Sequence, residues 1–241
     1  MEIREVKLIS GTETPVGDGL SKPIRALVRF EDMSSALAIV KTLDAKGFSA
    51  EIFCSILCKL WGLNVPEIAV VADKPNTLAS IDTTYPNLKQ SIGWSESLPE
   101  DLRKALELQG CALVSSFPTT PTALAIDEAI NNRDRNFGNI LWDGNDVAWI
   151  DHERSLGFKS EADQNKLVNM AVVSGNKDRV QAAAVAISLA LSSDAIVSTH
   201  EALKEFDNAN DHAAFTKERV KKLSALIVDR FPKPMDLLSQ I

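Results

Sequence analysis

The densest run of potential chemistry lies in residues 127–158, DEAINNRDRNFGNILWDGNDVAWIDHERSLGF. Two short apolar runs, residues 139–142 and 147–150, flank Asp143-Gly144-Asn145-Asp146. Asp-Gly accepts the positive φ angles of a tight turn, so this stretch predicts a β-hairpin. Pairing Trp142 with Val147 puts Asn139 opposite Ile150. Asn139 and Asp151 then lie about one residue apart across the ladder, at ~5 Å. Asp134 sits in the loop entering the first strand. Two carboxylates and a carboxamide thus meet at one end of a hairpin. Hard oxygen ligands of this kind suit Mg²⁺, which takes one or two protein carboxylates plus substrate phosphates. A carboxylate not bound to metal can accept a proton from an attacking hydroxyl. The bland alternative is a polar loop in which Asp and Asn only satisfy turn amides.

Spacing favours the chemical reading. Asp134 and Asn139 are separated as are the base Asp and metal-binding Asn of protein-kinase catalytic loops, and Asp151 follows after a hairpin. The wording Asp134-Arg135-Asn136-Phe137-Gly138-Asn139 and Ile150-Asp151-His152-Glu153 resembles the HipA-like kinases and, more distantly, the phosphoinositide 3-kinases. Asn131-Asn132 and the preceding Asp127-Glu128 fit the same group. Asn136 stands where these families often carry His, and an asparagine can still hydrogen-bond to hold the loop.

The resemblance implies an α+β, two-lobed, protein-kinase-like fold, with a small strand-rich N-lobe holding one helix and a mainly helical C-lobe. It implies ATP and Mg²⁺ as cofactors. Asp134 would be the catalytic base, Asn139 and Asp151 would be the metal ligands, and a protein Ser/Thr hydroxyl would be the acceptor. A small-molecule or lipid hydroxyl stays open, and a regulatory protein partner is expected by analogy alone.

Such a site needs a cation on the nucleotide phosphates, usually a strand Lys held by a helix Glu. Residues 24–30 (IRALVRF) and 35–42 (SALAIVKT) alternate as strands, and Lys41 ends the second. The next helix, over residues 47–63 with Ser49 as its N-cap, carries Glu51 as its one acid. Lys41 and Glu51 are therefore the expected pair, with Arg29 the rival cation. Residues 10–15, Ser-Gly-Thr-Glu-Thr-Pro, occupy the place of a phosphate-covering loop, which makes Gly11 and Thr12 candidate nucleotide contacts. Further strands are expected at residues 2–10 and 68–72. Residues 70–74 are the expected adenine-facing hinge. The break at residues 73–76 divides a nucleotide-binding N-lobe, residues 1–75, from a C-lobe, residues 76–241, with the catalytic loop and metal site.

From Thr77 the pattern predicts helices, over residues 98–116, 122–130, 177–192, 197–206 and 213–230. In the last of these Lys217, Arg219, Lys221 and Lys222 read as a solvated face and not an anion site. Cys54 and Cys58 share an apolar helical face with Phe53 and Leu57 and are expected to pack in the core. His152 is expected to pack and bond locally.

Composition bounds the rest. The 241 residues are 45% apolar and 24% charged, enough for a core and close to soluble globular averages. A net charge of −7 repels phosphate backbones and anionic lipid, so nucleic acid and membrane are not expected partners. The longest apolar run, residues 182–191, falls well short of the ~20 needed to span a bilayer. No secretory signal is visible, and three cysteines suit a reducing compartment, so a cytoplasmic setting is expected. Two other classes fit part of the pattern. One is a nucleotide-binding pseudokinase acting as an interaction module. The other is a metal-dependent phosphohydrolase, which lacks the His ligands such sites commonly use.

Overall fold

Nine apolar side chains, all alanine or valine but for Phe30 and four of them alanines (Ala26, Ala38, Ala69 and Ala79), fill the inside of the amino-terminal sheet. In the computed structural model, which describes residues 3–16, 22–157 and 163–233, that sheet is a ring of strands. They are β1 (Arg4–Leu8), β2 (Thr14–Pro15), β3 (Ile24–Phe30), β4 (Ser35–Thr42), β5 (Ile68–Val71) and β6 (Thr77–Ile81). The order is β1-β5-β6-β4-β3-β2, and β1 also pairs antiparallel with β3, which closes five strands on themselves. A ring that small has room only for modest side chains, which is why alanine recurs inside it. Gly17 and Gly19 of the first turn, and Phe158, lie outside the described residues.

Alternation sets which side chains face the ring. On β3, Ala26, Val28 and Phe30 point inward, and Arg29 is exposed. On β4, Ala38 and Val40 point inward, so the two-residue period puts Lys41 on the other face.

Helix α1 (Ala45–Leu60) follows directly. Its residues from Gly47 to Cys58 are all buried, so it is a core helix covered on every side. The N-cap is Asp44, not Ser49: the Asp44 carboxylate accepts from the Gly47 amide at 2.7 Å. Ser49 instead lies one turn into the helix, where its hydroxyl meets the His212 ring.

One expectation about the first third is corrected. Residues from Thr77 do not begin the helices, because Thr77–Ile81 is β6 and pairs with both β4 and β5. A boundary after residue 75 would cut through the sheet. Residues 70–74, the expected adenine-facing hinge, end β5 and enter the turn to β6, in which Asp73 and Asn76 are at positive φ. The connection from sheet to helices is residues 82–87.

Beyond it come α2 (Leu88–Ser91), α3 (Glu100–Ser116), α4 (Thr120–Ile130), the hairpin β7 (Ile140–Trp142) and β8 (Val147–Trp149), then α5 (Lys166–Val173), α6 (Lys177–Ala190), α7 (Ser193–Ala202), α8 (Ala209–Val220) and α9 (Leu223–Arg230). The helix expected over residues 213–230 is two helices, broken at Lys221 and Lys222. Buried α4 is the hub of this half and packs on α6, α8 and α9. Among the described residues no single helix is long and apolar enough to cross a membrane.

Candidate active site

The hairpin has the expected register. Ile140 pairs with Trp149 and Trp142 with Val147, and the Ile150 amide donates to the Asn139 carbonyl at 3.2 Å. Asp143 closes the turn by accepting from the Asn145 and Asp146 amides, with Gly144 at φ +105°. Asn64, just beyond α1, holds the hairpin from outside: its carbonyl accepts from the Trp149 amide and its amide donates to the Val147 carbonyl.

The loop before the hairpin hangs from the end of α4. Asn131 takes a left-handed conformation, φ +57°, and stops the helix with Asp127 and Glu128 fully buried at its end. Arg135, wholly buried, forms a two-armed pair with Asp127, with contacts of 2.9 and 3.0 Å. Its remaining arm donates to the carbonyls of Asn139 and Ile150. One guanidinium therefore fixes the residues on either side of the hairpin mouth. Removing one member of a fully buried ion pair strands the other charge. Arg135→Ala is expected to cost about 3–5 kcal/mol of stability, read as a lowered urea midpoint.

Glu128 anchors the same loop elsewhere. Its carboxylate receives Arg133 at 2.9 Å, Arg219 at 2.6 Å and Arg230 at 3.2 Å. Arg219 is thus largely buried against α4, which corrects its assignment to a solvated face.

Within the loop, the turn amides are satisfied by asparagines. Asn132 Oδ1 accepts from the Asp134 amide at 3.0 Å, and Asn136 Oδ1 accepts from the Gly138 amide at 2.8 Å. Asn136 also donates to the Asp134 carbonyl, so it does hold the loop. The Asp134 carboxylate takes one long contact from Asn136 Nδ2, 3.4 Å to Oδ1, and otherwise faces two cations. Its Oδ1 accepts from Lys166 Nζ at 2.6 Å, and its Oδ2 lies 3.6 Å from Arg154. Asn139 spends its amide hydrogen on the Asp134 carbonyl at 2.8 Å, which leaves Oδ1 as the acceptor it can offer a cation.

Asp151 follows β8 at φ +70°, a left-handed conformation that turns it toward the sheet. Lys41 Nζ donates to Asp151 Oδ1 at 2.9 Å and lies 4.0 Å from Glu153. Burial pulls the Lys41 pKa down, but the carboxylates of Asp151, Glu51 and Glu153 outweigh it and hold the ammonium protonated. Arg29 takes no part, since it is exposed on a different strand.

Glu51 reaches the same place by another route. Its Oε2 accepts from the His152 amide, the residue next to Asp151, and its Oε1 lies 3.8 Å from His152 Nδ1. Burial raises the Glu51 pKa, yet the bonds and charge of His152, with Lys41, bring it well below the ordinary carboxylate range. The lysine that Glu51 was expected to hold is held by Asp151, and Glu51 holds the backbone that carries Asp151. The start of α1 lies beside this segment: Gly47 faces Glu153, and a Cβ there would crowd the Asp44 N-cap carboxylate at 3.2 Å. The His152 ring is buried, with Nε2 3.7 Å from Cys58 Sγ. Burial alone would lower its pKa, but Cys58 and Glu51 raise it well above the ordinary value. Cys54 and Cys58 are fully buried, and Cys54 packs in the core.

Gly11 and Thr12 lie in the turn between β1 and β2. Gly11 is at φ +84° and its amide donates to Glu13 at 2.7 Å. The Thr12 hydroxyl links the Ile9 carbonyl to the Leu27 amide, pinning the turn to β3.

Among the described residues no cluster of three or more His, Cys, Asp or Glu side chains is placed to hold a metal. Asp151 offers a carboxylate and Asn139 an amide oxygen, the donor types Mg²⁺ takes when phosphates complete its shell. Sequence reading missed Arg135 and Lys166. Arg135 had a signal, an arginine eight positions after Asp127, the acid near the end of an apolar helix. Lys166 had none, because α5 itself was not anticipated.

No protein-family model matches the sequence, and no curated protein matches it. Solved structures do match. The Helicobacter pylori proinflammatory kinase CtkA is 14% identical, with 92% of this chain and 96% of that chain covered at a TM-score of 0.56. HipA of Shewanella oneidensis MR-1, solved with HipB and operator DNA, is 14% identical, with 97% and 67% covered at a TM-score of 0.53. At that identity the likeness is one of fold: a mixed α+β chain with a strand-rich sheet and a helical half, built as these kinases are built.

Proposed function

We propose that this chain is an ATP- and Mg²⁺-dependent kinase of the HipA-like type that transfers the γ-phosphate to a protein Ser/Thr hydroxyl. One observation carries the reading. Lys41 bonds to Asp151 from 110 positions away, the adjoining Ile150 bonds through its amide to Asn139, and Asn139 bonds to Asp134. A sheet lysine, two oxygen donors and a further carboxylate are the parts phosphoryl transfer needs, in the order it needs them. The kinase-like fold supports the same reading.

In this scheme the sheet and its first turn, with Gly11, Thr12 and Lys41, receive the nucleotide, and the helical half carries the acceptor. Asp151 and Asn139 would hold Mg²⁺, which would supply charge neutralisation for the phosphates. Asp134 accepts the acceptor's proton as the new O–P bond forms and the bond from phosphorus to the β–γ bridging oxygen breaks, leaving ADP. Lys41 carries a proton it does not lose and meets the α/β-phosphates, exchanging its contact with Asp151 for them. Glu51 fixes the Asp151 backbone. The proposal includes a regulatory protein partner and a cytoplasmic setting, in keeping with three free thiols. It excludes direct contact with DNA, given the net charge of −7.

A second reading, a nucleotide-binding pseudokinase serving as an interaction module, draws on the first turn. There Glu13 occupies the Gly11 amide that would otherwise face a phosphate. Calorimetric titration with Mg·ATP tests the nucleotide site common to both readings. Lys41→Met is expected to weaken binding by about tenfold or more, the value of a charged hydrogen bond, and Arg29→Met to leave it unchanged. The reverse pattern would move the phosphate cation from β4 to β3.

A further inference from the structure

Phosphoryl transfer concentrates charge on the oxygens of the moving group, and a cation beside the catalytic base relieves it. The loop from Asp134 to Asn139 supplies none. Its one cation, Arg135, is wholly buried and committed to Asp127 and two carbonyls. The position two beyond Asp134 is Asn136, a neutral residue spent on the turn. Lys41 lies at the other side, on Asp151.

Two cations reach Asp134 from elsewhere in the chain: Arg154, 3.6 Å from Oδ2, and Lys166, the nearer, on Oδ1. Lys166 is the first residue of α5, and its Nζ lies 2.6 Å from Asp134 Oδ1. Its placement is built. The preceding Asn165 is buried, caps α5 by accepting from the Leu167 amide, and donates to the Leu124 carbonyl of α4. The same helix α4 carries Asp127 and Glu128, which set the Asp134 loop. Base and lysine are therefore referenced to one rigid element. Both side chains keep access to solvent, at 23% and 29%.

An acceptor oxygen within hydrogen-bond reach of Asp134 stands ~3–3.5 Å from the phosphorus at the point of attack. An ammonium already on the Asp134 carboxylate, at the end of a flexible four-carbon stem, reaches the γ-phosphoryl oxygens by a small swing. We propose that Lys166 is a further catalytic residue, which binds the γ-phosphate of ATP and stays on the phosphoryl group during transfer. The proposal rests on the kinase reading above and deepens it. On nucleotide binding, Lys166 moves its hydrogen bond from Asp134 Oδ1 to a γ-phosphoryl oxygen, which leaves Asp134 Oδ1 with only the long 3.4 Å contact from Asn136 Nδ2 and able to take the acceptor's proton. The ammonium keeps its own proton throughout, and the electron pair of the broken P–O bond leaves on ADP.

Comparing Mg·ATP with Mg·ADP tests this without relying on turnover. Calorimetry on the wild type, Lys166→Met and Lys166→Arg should show about tenfold or more loss of Mg·ATP affinity in the methionine variant. Mg·ADP affinity should be unchanged, and the arginine variant should keep the wild-type preference for ATP. A lysine that only holds Asp134 in place would lower turnover and leave the ATP-to-ADP affinity ratio alone, and an unchanged ratio overturns the proposal. Lys166→Gln, which keeps the stem but not the charge, gives the same readout if the methionine variant does not fold. A wild type that binds neither nucleotide removes the kinase reading and this role together. A wild type that binds both, with an unchanged ratio in the variant, removes only the role of Lys166.

Discussion

Asp151→Asn is expected to abolish phosphoryl transfer and to weaken Mg·ATP binding by a factor on the order of 10² or more. Residues that merely support a metal ligand are worth 10–100-fold in metal affinity, so loss of a ligand's charge should cost at least as much. The substitution is a clean probe of charge. Asp151 sits at φ +70°, a conformation asparagine adopts readily, so the backbone is not asked to change. The Glu51 bond goes to the His152 amide and does not involve the Asp151 side chain. What is lost is the carboxylate that pairs with Lys41 at 2.9 Å. Calorimetry showing wild-type Mg·ATP affinity in a folded Asp151→Asn protein would remove Asp151 from the metal site.

The companion substitution, Asp134→Asn, should separate binding from chemistry. A base contributes in the transition state, so its loss lowers turnover with little change in ground-state affinity. Transfer should fall by a factor on the order of 10² to 10⁴ while Mg·ATP binding stays close to wild type. The alternative, that Asp134 only caps a turn, predicts a loss of ~1 kcal/mol of stability and retained activity. Geometry speaks against it, because Asn132 and Asn136 cap the turn amides and the Asp134 carboxylate faces Lys166 and Arg154.

Where local patterning dominates, the fold was legible in advance. Strands β3 and β4 alternate cleanly and were located to the residue, and the Asp-Gly turn fixed the hairpin register that brings Asn139 near Asp151. Strand β6 was missed because Thr77–Ile81 (TLASI) follows a turn-rich DKPN and carries no alternation that marks a buried strand. The break between α8 and α9 falls at Lys221-Lys222, with neither Gly nor Pro to signal it. The N-cap of α1 was misplaced because Ser49 and Asp44 are both good capping residues, and packing chose the earlier one.

Long-range pairings were the harder part. Lys41 and Asp151 are 110 positions apart and Glu51 and His152 are 101 apart. Residue type suggested that a lysine, a glutamate and an aspartate would meet. Only the packing of α1 against the hairpin decided that Asp151 takes the lysine and Glu51 takes the backbone beside it. Lys166 depends on α5, a short helix whose Asn165 cap is legible only once Leu124 is known to lie beside it.

Transfer of labelled γ-phosphate from ATP, measured on the wild type and Asp134→Asn side by side with Mg²⁺ present, tests the central claim most directly. The account predicts label on a protein hydroxyl with the wild type, and little or none with the variant, although both bind Mg·ATP alike. Equal labelling by the two proteins, or binding by the wild type with no label transferred at all, would contradict it.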